Sequence, residues 1–331
     1  MTGRFPVRPL FAALALCTAT ALAAQSPSPR TPGDYPLGPD SQVNPAIPHG
    51  TLLGPFALHS RIFPGTVRRY WVHVPAGHRA GAPPANLLVF QDGQRAINPS
   101  GSLRIPVVLD NLIAQGAIPP TIGVFVTPGN LSTAYPDDLG QGNPDHRWQE
   151  YDALDDDYAH MLLDELLPEV AARWRITNDP TRRAIGGTSS GAIAAFTVAW
   201  RHPEAFGNVI SMIGSYTAIA AQEADPAAPP PPAGDLYPRL IRQSPIKPLR
   251  IFLQDGSNDL DNAHGNWFLA NQQMLAALNW ANRNADANGT AGPRYDVAHI
   301  WGDGAHSDQH GGAILPDVLR WIWRDAKDGK E

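Results

Sequence analysis

The sequence predicts an α/β fold, a mostly parallel central sheet with helices on both faces. Three observations lead there. Short apolar runs such as Leu87–Phe90 and Ile122–Val126 lack polar alternation, as strands buried on both faces require. Segments with a helical period, Tyr158–Arg173 the clearest, fall between such runs. The two kinds then alternate from about residue 87 to the end, which calls for a sheet covered on both sides.

Taken in order, strand patterns occupy Thr51–His59 and Arg68–Val74, the second setting Tyr70, Val72 and Val74 against Trp71 and His73. Leu87–Phe90 is a strand, Val107–Gln115 a helix closed by Gly116, and Ile122–Val126 a strand. In Tyr158–Arg173, Tyr158, Met161, Leu162, Leu166 and Val170 form one apolar stripe. Arg183–Ile185 is a brief strand, Ala192–Arg201 a helix and Val209–Ile213 a strand. Ala221–Gly234, with four prolines at Pro229–Pro232, is a loop. Leu249–Gln254 (strand), Trp267–Asn282 (helix), Tyr295–Trp301 (strand) and Gly312–Asp325 (helix) complete the pattern. No repeat and no linker divide Arg68–Asp325, so one domain is expected over residues 49–331.

The first 24 residues read as a secretory signal peptide, with Arg4 and Arg8 before an apolar run from Leu10 that ends in Ala21-Leu22-Ala23-Ala24. The run is too short for a permanent membrane span, and a buried N-terminal helix is the weaker alternative, because the run has no polar face. Export to the periplasm or medium is expected, without stable membrane insertion once the signal is removed. The single cysteine, Cys17, lies inside this segment, so the mature chain has no thiol chemistry. Residues 25–48, rich in Pro, Ser, Gly and Asp, read as a flexible lead-in. A formal net charge of −6 without a dense Lys/Arg stripe argues against nucleic acid or anionic membranes as partners.

Gly187-Thr188-Ser189-Ser190-Gly191 fits the G-x-S-x-G elbow of the α/β-hydrolase fold. A sharp strand-to-helix turn lifts the central hydroxyl clear of the sheet, and the next N–H, here of Ser190, faces the same space from a helix start that favours an oxyanion. The spacing centres on Ser189 as nucleophile and not on Ser190. Such a serine needs a base and an orienting acid, which this fold supplies in the chain order Ser, acid, His. After the strand ending at Gln254 come Asp255, Asp259 and Asp261. Asp259, deeper in that loop, is the preferred acid, Asp255 a candidate cap for the turn at Gly256, and Asp261 a third candidate. After the strand ending at Trp301 come His306 and His310. Gly302 and Gly304 let the loop turn back and favour His306 as base, leaving His310 to the start of the last helix. Asp92-Gly93-Gln94, after Leu87–Phe90, is placed to give the second oxyanion N–H, from Gly93 or Gln94.

Other chemistries fit less well. His306 and His310 with Asp303 and Asp308 suggest a metal site, but no H-E-x-x-H is present and no third ligand stands out, so no metal is expected. Gly186-Gly187 lacks the lysine of a phosphate-binding loop.

At Tyr70-Trp71-Val72-His73-Val74-Pro75 and Leu88-Val89-Phe90-Gln91-Asp92-Gly93 the chain resembles the esterase family that holds enterochelin esterase, esterase D, feruloyl and acetylxylan esterases and the mycolyltransferases. Arg147-Trp148-Gln149-Glu150-Tyr151-Asp152 is similar to its R-x-x-E-Y-D stretch, and Leu166-Leu167-Pro168-Glu169-Val170 to its E-L-L-P stretch. The resemblance runs from about residue 50 to 325 and is strongest to exported enterochelin-esterase-like members. It implies Ser189, Asp259 and His306 as the triad. In one departure, Ser307 and Asp308 stand where members often carry a bulky residue after the histidine.

The expected protein is therefore an exported serine carboxylic-ester hydrolase without a cofactor. Its substrate is expected to be a small phenolic or feruloyl, acetyl-sugar or siderophore-type ester. The alternatives are an acyltransferase using the same triad, and a non-catalytic carbohydrate- or siderophore-binding protein on a hydrolase scaffold.

Overall fold

The structure is a computed structural model that describes residues 33–131, 135, 144–219 and 231–326. The signal segment 1–24 with Cys17, the first part of the lead-in and most of the Pro-rich 221–234 loop lie outside the described residues.

Among the described residues, eight strands make one sheet: β1 (Thr51–His59), β2 (Val67–Val74), β3 (Asn86–Gln91), β4 (Thr121–Val126), β5 (Arg183–Thr188), β6 (Asn208–Met212), β7 (Arg250–Asn258) and β8 (Asp296–Ala305). Their spatial order is β1-β2-β4-β3-β5-β6-β7-β8. β1–β2 and β2–β4 are antiparallel and every later pair is parallel. Alternation along β3 shows why both faces need cover. Leu87 and Val89 join the core on one face, Leu88 and Phe90 that on the other. Helices α2 (Ser190–Arg201) and α3 (Trp267–Ala287) close the first core through Phe196, Met274 and Leu278. Helices α1 (Ile105–Ala114) and α4 (Asp308–Ile322) close the second through Leu109, Leu112, Leu315 and Leu319. This is the mostly parallel sheet with helices on both faces that the alternation predicts.

Helix ends shift, α4 starting at Asp308 and not Gly312 and α3 running to Ala287 and not Asn282, and four other departures follow. The segment Tyr158–Arg173 is helical over Asp157–His160 and Leu167–Ala171 but widens to a π-helix over Met161–Leu166. Pro168, without an N–H, cannot bond back one turn, and the wider turn just before it accommodates that loss. Strands β7 and β8 run four residues beyond Gln254 and Trp301, because the two strands go on pairing with each other to Asn258 and Ala305. Short helices at Arg147–Tyr151 and Tyr237–Gln243 carry too little periodicity to be read from sequence.

The fourth concerns the lead-in. Composition predicts flexibility for residues 33–48, yet they are held by specific bonds. Asn111 Nδ2 donates to the carbonyls of Asp40 and Gln42 at 2.9 and 2.8 Å, and Arg320 pairs with Asp40 at 2.5 Å. Tyr35 stacks on His310 with ring centroids 4.1 Å apart. A few polar anchors fix a segment whose composition carries no core pattern of its own. From Pro32 onward the chain forms one compact unit.

Candidate active site

Strand β5 delivers its last residue straight into α2, and Ser189 occupies the junction with φ 59° and ψ −126°. That is a strained conformation for a residue with a side chain, of the kind that persists only where its surroundings fix it. Here Ser189 N–H donates to the Met212 carbonyl at 3.0 Å, and the Ser189 carbonyl accepts from Ala192 N–H at 3.0 Å. Gly187 is required by close approach, since a Cβ there would stand 2.3 Å from the Gly191 carbonyl oxygen. Ser189 is left partly exposed at the carboxyl edge of the sheet, and Ser190 is buried.

The acid and base segments arrive from the next parallel strands. His306 Nε2 lies 2.8 Å from Ser189 Oγ, and His306 Nδ1 lies 2.5 Å from Asp259 Oδ1. A carboxylate can only accept, so Nδ1 carries the ring proton and Nε2 is free to accept from the serine. Such a chain can take the hydroxyl proton as the oxygen attacks an electrophile. The Asp259 side chain is fully buried, and Oδ1 also accepts from Leu260 N–H at 2.5 Å. Asn258 Nδ2 donates to the Asp303 carbonyl at 2.8 Å, tying the two loops together.

The other candidates have separate places. Asp261 is exposed in a two-residue ribbon with Asn266. Asp255 does not cap a turn, because β7 continues through Gly256; its carboxyl accepts from Gly256 N–H at 2.6 Å and from Asn271 Nδ2 at 2.7 Å. Burial, then the hydrogen bond and charge of Asp259, push the Asp255 carboxyl up to about 9. Asp259 Oδ2 is buried without an N–H or hydroxyl partner, and a proton held on Asp255 supplies one. His310 lies in the first turn of α4, where Gln254 Nε2 donates to its Nδ1 at 2.9 Å. Gly302 and Gly304 do not form the expected turn but belong to β8. Gly302 is there for space, since a Cβ would meet the Tyr35 hydroxyl at 2.3 Å. Among the described residues no three His, Cys, Asp or Glu side chains gather as a metal site needs. No helix among them is long and apolar enough to cross a membrane.

Gly93 and Gln94 begin the short helix Gly93–Ala96, and Ser190 begins α2. All three are first-turn residues, whose N–H groups have no carbonyl within their own helix. The two helix starts adjoin, because Gly191 packs directly against Gln91 and Asp92. Asp92 has φ 51° and is gripped by Arg147. Burial works to raise the Asp92 carboxyl, yet the Arg147 charge and hydrogen bonds hold it below its ordinary range. Glu150 forms a second buried pair with Arg68 at 2.9 Å. The R-x-x-E-Y-D stretch thus underpins the loop after β3.

Two further residues at the site escaped the sequence reading. Ser215 Oγ lies 3.2 Å from Ser189 Oγ, and Trp267 Nε1 donates to Ser215 Oγ at 3.1 Å. Only the position of Ser215, just past β6 and so at the same sheet edge, could have pointed to it.

Residues 64–306 match the family described as Putative esterase. The chain belongs to the Esterase family. Among the relatives of this family member is the iron(III) enterobactin esterase of Dickeya dadantii, 26% identical over 187 residues, which are 55% of this chain and 39% of that enzyme. The enterobactin esterase of Shigella flexneri superposes with a TM-score of 0.61 at 22% identity, covering 90% of this chain and 64% of its own. A ferulic acid esterase superposes with a TM-score of 0.60 at 17% identity, over 84% of this chain and 98% of its own. This chain therefore spans less than two thirds of the enterobactin esterases, and the structural likeness at these identities shows the shared fold.

Proposed function

We propose that this protein hydrolyses carboxylic esters through an acyl-enzyme formed on Ser189. The observation that carries the proposal is the continuous chain from Ser189 Oγ through His306 to the buried Asp259, built at the ends of β5, β8 and β7. His306 takes the serine proton as the Oγ–C bond forms and returns it to the departing alcohol. Water then attacks the acyl carbon with His306 again as base, and Ser189 leaves. The N–H groups of Ser190 and of Gly93 or Gln94 hold the oxyanion in both steps. No part of this route calls on a cofactor.

The substrate is a small phenolic, acetyl-sugar or siderophore-type ester. Family membership and the likeness to enterobactin and ferulic acid esterases support that class. Turnover of p-nitrophenyl esters of increasing chain length, methyl ferulate and a catecholate siderophore, with and without a sugar acceptor, tests it. Hydrolysis in wild type, its loss in Ser189→Ala and an acyl adduct on the Ser189 peptide by mass spectrometry are expected. Adduct formation elsewhere, or no turnover of any ester, would defeat the reading.

The protein is also proposed to be exported, its signal ending near Ala24, on the strength of Arg4, Arg8, the apolar run and Ala21-Leu22-Ala23. Intact-mass measurement of protein recovered outside the cytoplasm should give a start at Ala24 or Gln25. Retention of residues 1–20 would refute it.

A further inference from the structure

The structure assigns Ser215 a part in the reaction: we infer that its hydroxyl, aimed by Trp267, donates to Ser189 Oγ and holds that oxygen as its proton leaves. The inference rests on Ser189 being the nucleophile. Donor and acceptor counting fixes every direction. The Trp267 indole N–H can only donate, so Ser215 Oγ accepts from it at 3.1 Å. Ser189 has one proton, and that proton points to His306 Nε2 at 2.8 Å. In the 3.2 Å contact between the two hydroxyls, Ser215 is therefore the donor.

The backbone is arranged to hold Ser215 there. Ser215 N–H donates to the Ser189 carbonyl at 3.3 Å, and Asn271 Nδ2 donates to the Gly214 carbonyl at 2.9 Å. Ile213, a β-branched residue, sits at φ 45°, a conformation its side chain opposes, with its N–H bonded to the Gln254 carbonyl at 2.7 Å. Ser215 is fully buried, so water cannot replace its hydroxyl. Trp267 also meets the His306 ring edge to face, with centroids 5.9 Å apart. One indole thus touches both neighbours of the reacting oxygen.

As Ser189 attacks, its proton passes to His306 Nε2, the Oγ–C bond forms, and Ser215 keeps its own proton throughout. A donor to an oxygen gaining negative charge strengthens at that moment, so it lowers the barrier more than it stabilises the resting state. When the acyl-enzyme breaks, the same donor stabilises Ser189 Oγ as the leaving group.

The test is the rate at which phenylmethylsulfonyl fluoride inactivates the enzyme, which reads Ser189 without any ester-binding pocket. Ser215→Ala should melt near wild type, inactivate about 10-fold more slowly and show a matching fall in the p-nitrophenyl acetate burst rate, as expected for one lost hydrogen bond to a charged oxygen. Trp267→Phe, which keeps the Ser215 hydroxyl but removes its guide, should fall between the two. It serves also if Ser215→Ala does not fold. Wild-type inactivation in either folded variant overturns the role of Ser215 while leaving Ser189 as nucleophile. Ester turnover that survives in Ser189→Ala overturns the nucleophile, and this inference with it.

Discussion

Arg147 grips both carboxylate oxygens of Asp92, its Nε and a terminal nitrogen standing 3.0 and 2.8 Å away. Two parallel bonds of this kind fix orientation as well as charge. Asp92 is buried at the last bend before Gly93 and Gln94, so the pair sets the direction of the helix start that faces the elbow. Arg147→Met should leave the buried Asp92 carboxylate without its two hydrogen bonds, with only Arg95 at 4.0 Å for a cation, and cost about 3 kcal/mol. Turnover should fall as well, although Ser189, Asp259 and His306 are untouched. Asp92→Asn combined with Arg147→Met should recover most of the stability but not the activity. Urea unfolding and ester turnover on the three variants check this, and a fully active Arg147→Met would show that the pair has no bearing on the site.

The two adjacent serines should separate cleanly. Ser189→Ala is expected to lose nearly all turnover, whereas Ser190→Ala keeps a measurable part, because its contribution is a backbone N–H that alanine retains. Asp259→Asn should fold yet lose about 10⁴-fold in turnover, since His306 can then adopt the wrong tautomer. Purified variants compared on one p-nitrophenyl ester decide the matter; a dead Ser190→Ala beside an active Ser189→Ala would move the nucleophile by one residue.

Asp255 gives a pH dependence of definite sign. Its carboxyl stands at about 9 in the folded chain, above the ordinary carboxylate range, because burial and Asp259 disfavour its ionisation. The stability it contributes is full below about pH 4, where both folded and unfolded chains are protonated, and is lost as pH rises through about 9. Asn at this position is neutral throughout. The melting temperature of Asp255→Asn relative to wild type should therefore climb from about pH 5 to about pH 9, with turnover retained near neutral pH. A difference that stays flat across that range would place the charge elsewhere.

Much of the site was legible because chain order and turn chemistry are local signals. Gly187–Gly191 needs only a strand before it and a helix after it, and Asp259 and His306 follow from the next strand ends. What stayed hidden was tertiary. Ser215 looks like any serine after a strand until β6 is seen beside β5. Asp255 reads as a turn cap, whereas β7 continues past it, and its raised carboxyl follows from burial and from Asp259 beside it. The lead-in misleads for the opposite reason, since Tyr35 and Asp40 are isolated anchors in a segment of loop composition. The π-helical turn before Pro168 preserves the apolar stripe, so periodicity alone could not reveal it.

Tyr35 offers a direct check on the lead-in, which it straps to the end of β8 through Asp303. Its hydroxyl donates to Asp303 Oδ1 at 2.6 Å and accepts from Asp303 N–H at 2.9 Å, three residues before His306. Tyr35→Phe keeps the stacking on His310 and removes both bonds, at a cost of roughly 1–3 kcal/mol. Turnover should drop several-fold through a looser His306, because the variant loses one oxygen and adds no bulk near the reacting groups. Chemical denaturation and turnover give the answer; unchanged values for both would mean the strap does not support the base.

The same contact bears on the order in which the molecule is made. Tyr35 and Asp303 are 268 residues apart, so their meeting closes nearly the whole described chain into one loop. Contacts of such separation form late, after the local hairpins and βαβ units have condensed. Ser189 follows β5, which lies inside the sheet between β3 and β6, whereas His306 follows β8, an edge strand and the last in the chain. On the proposed mechanism the nucleophile is then expected in place before its base, with activity appearing only at the final closure of the chain.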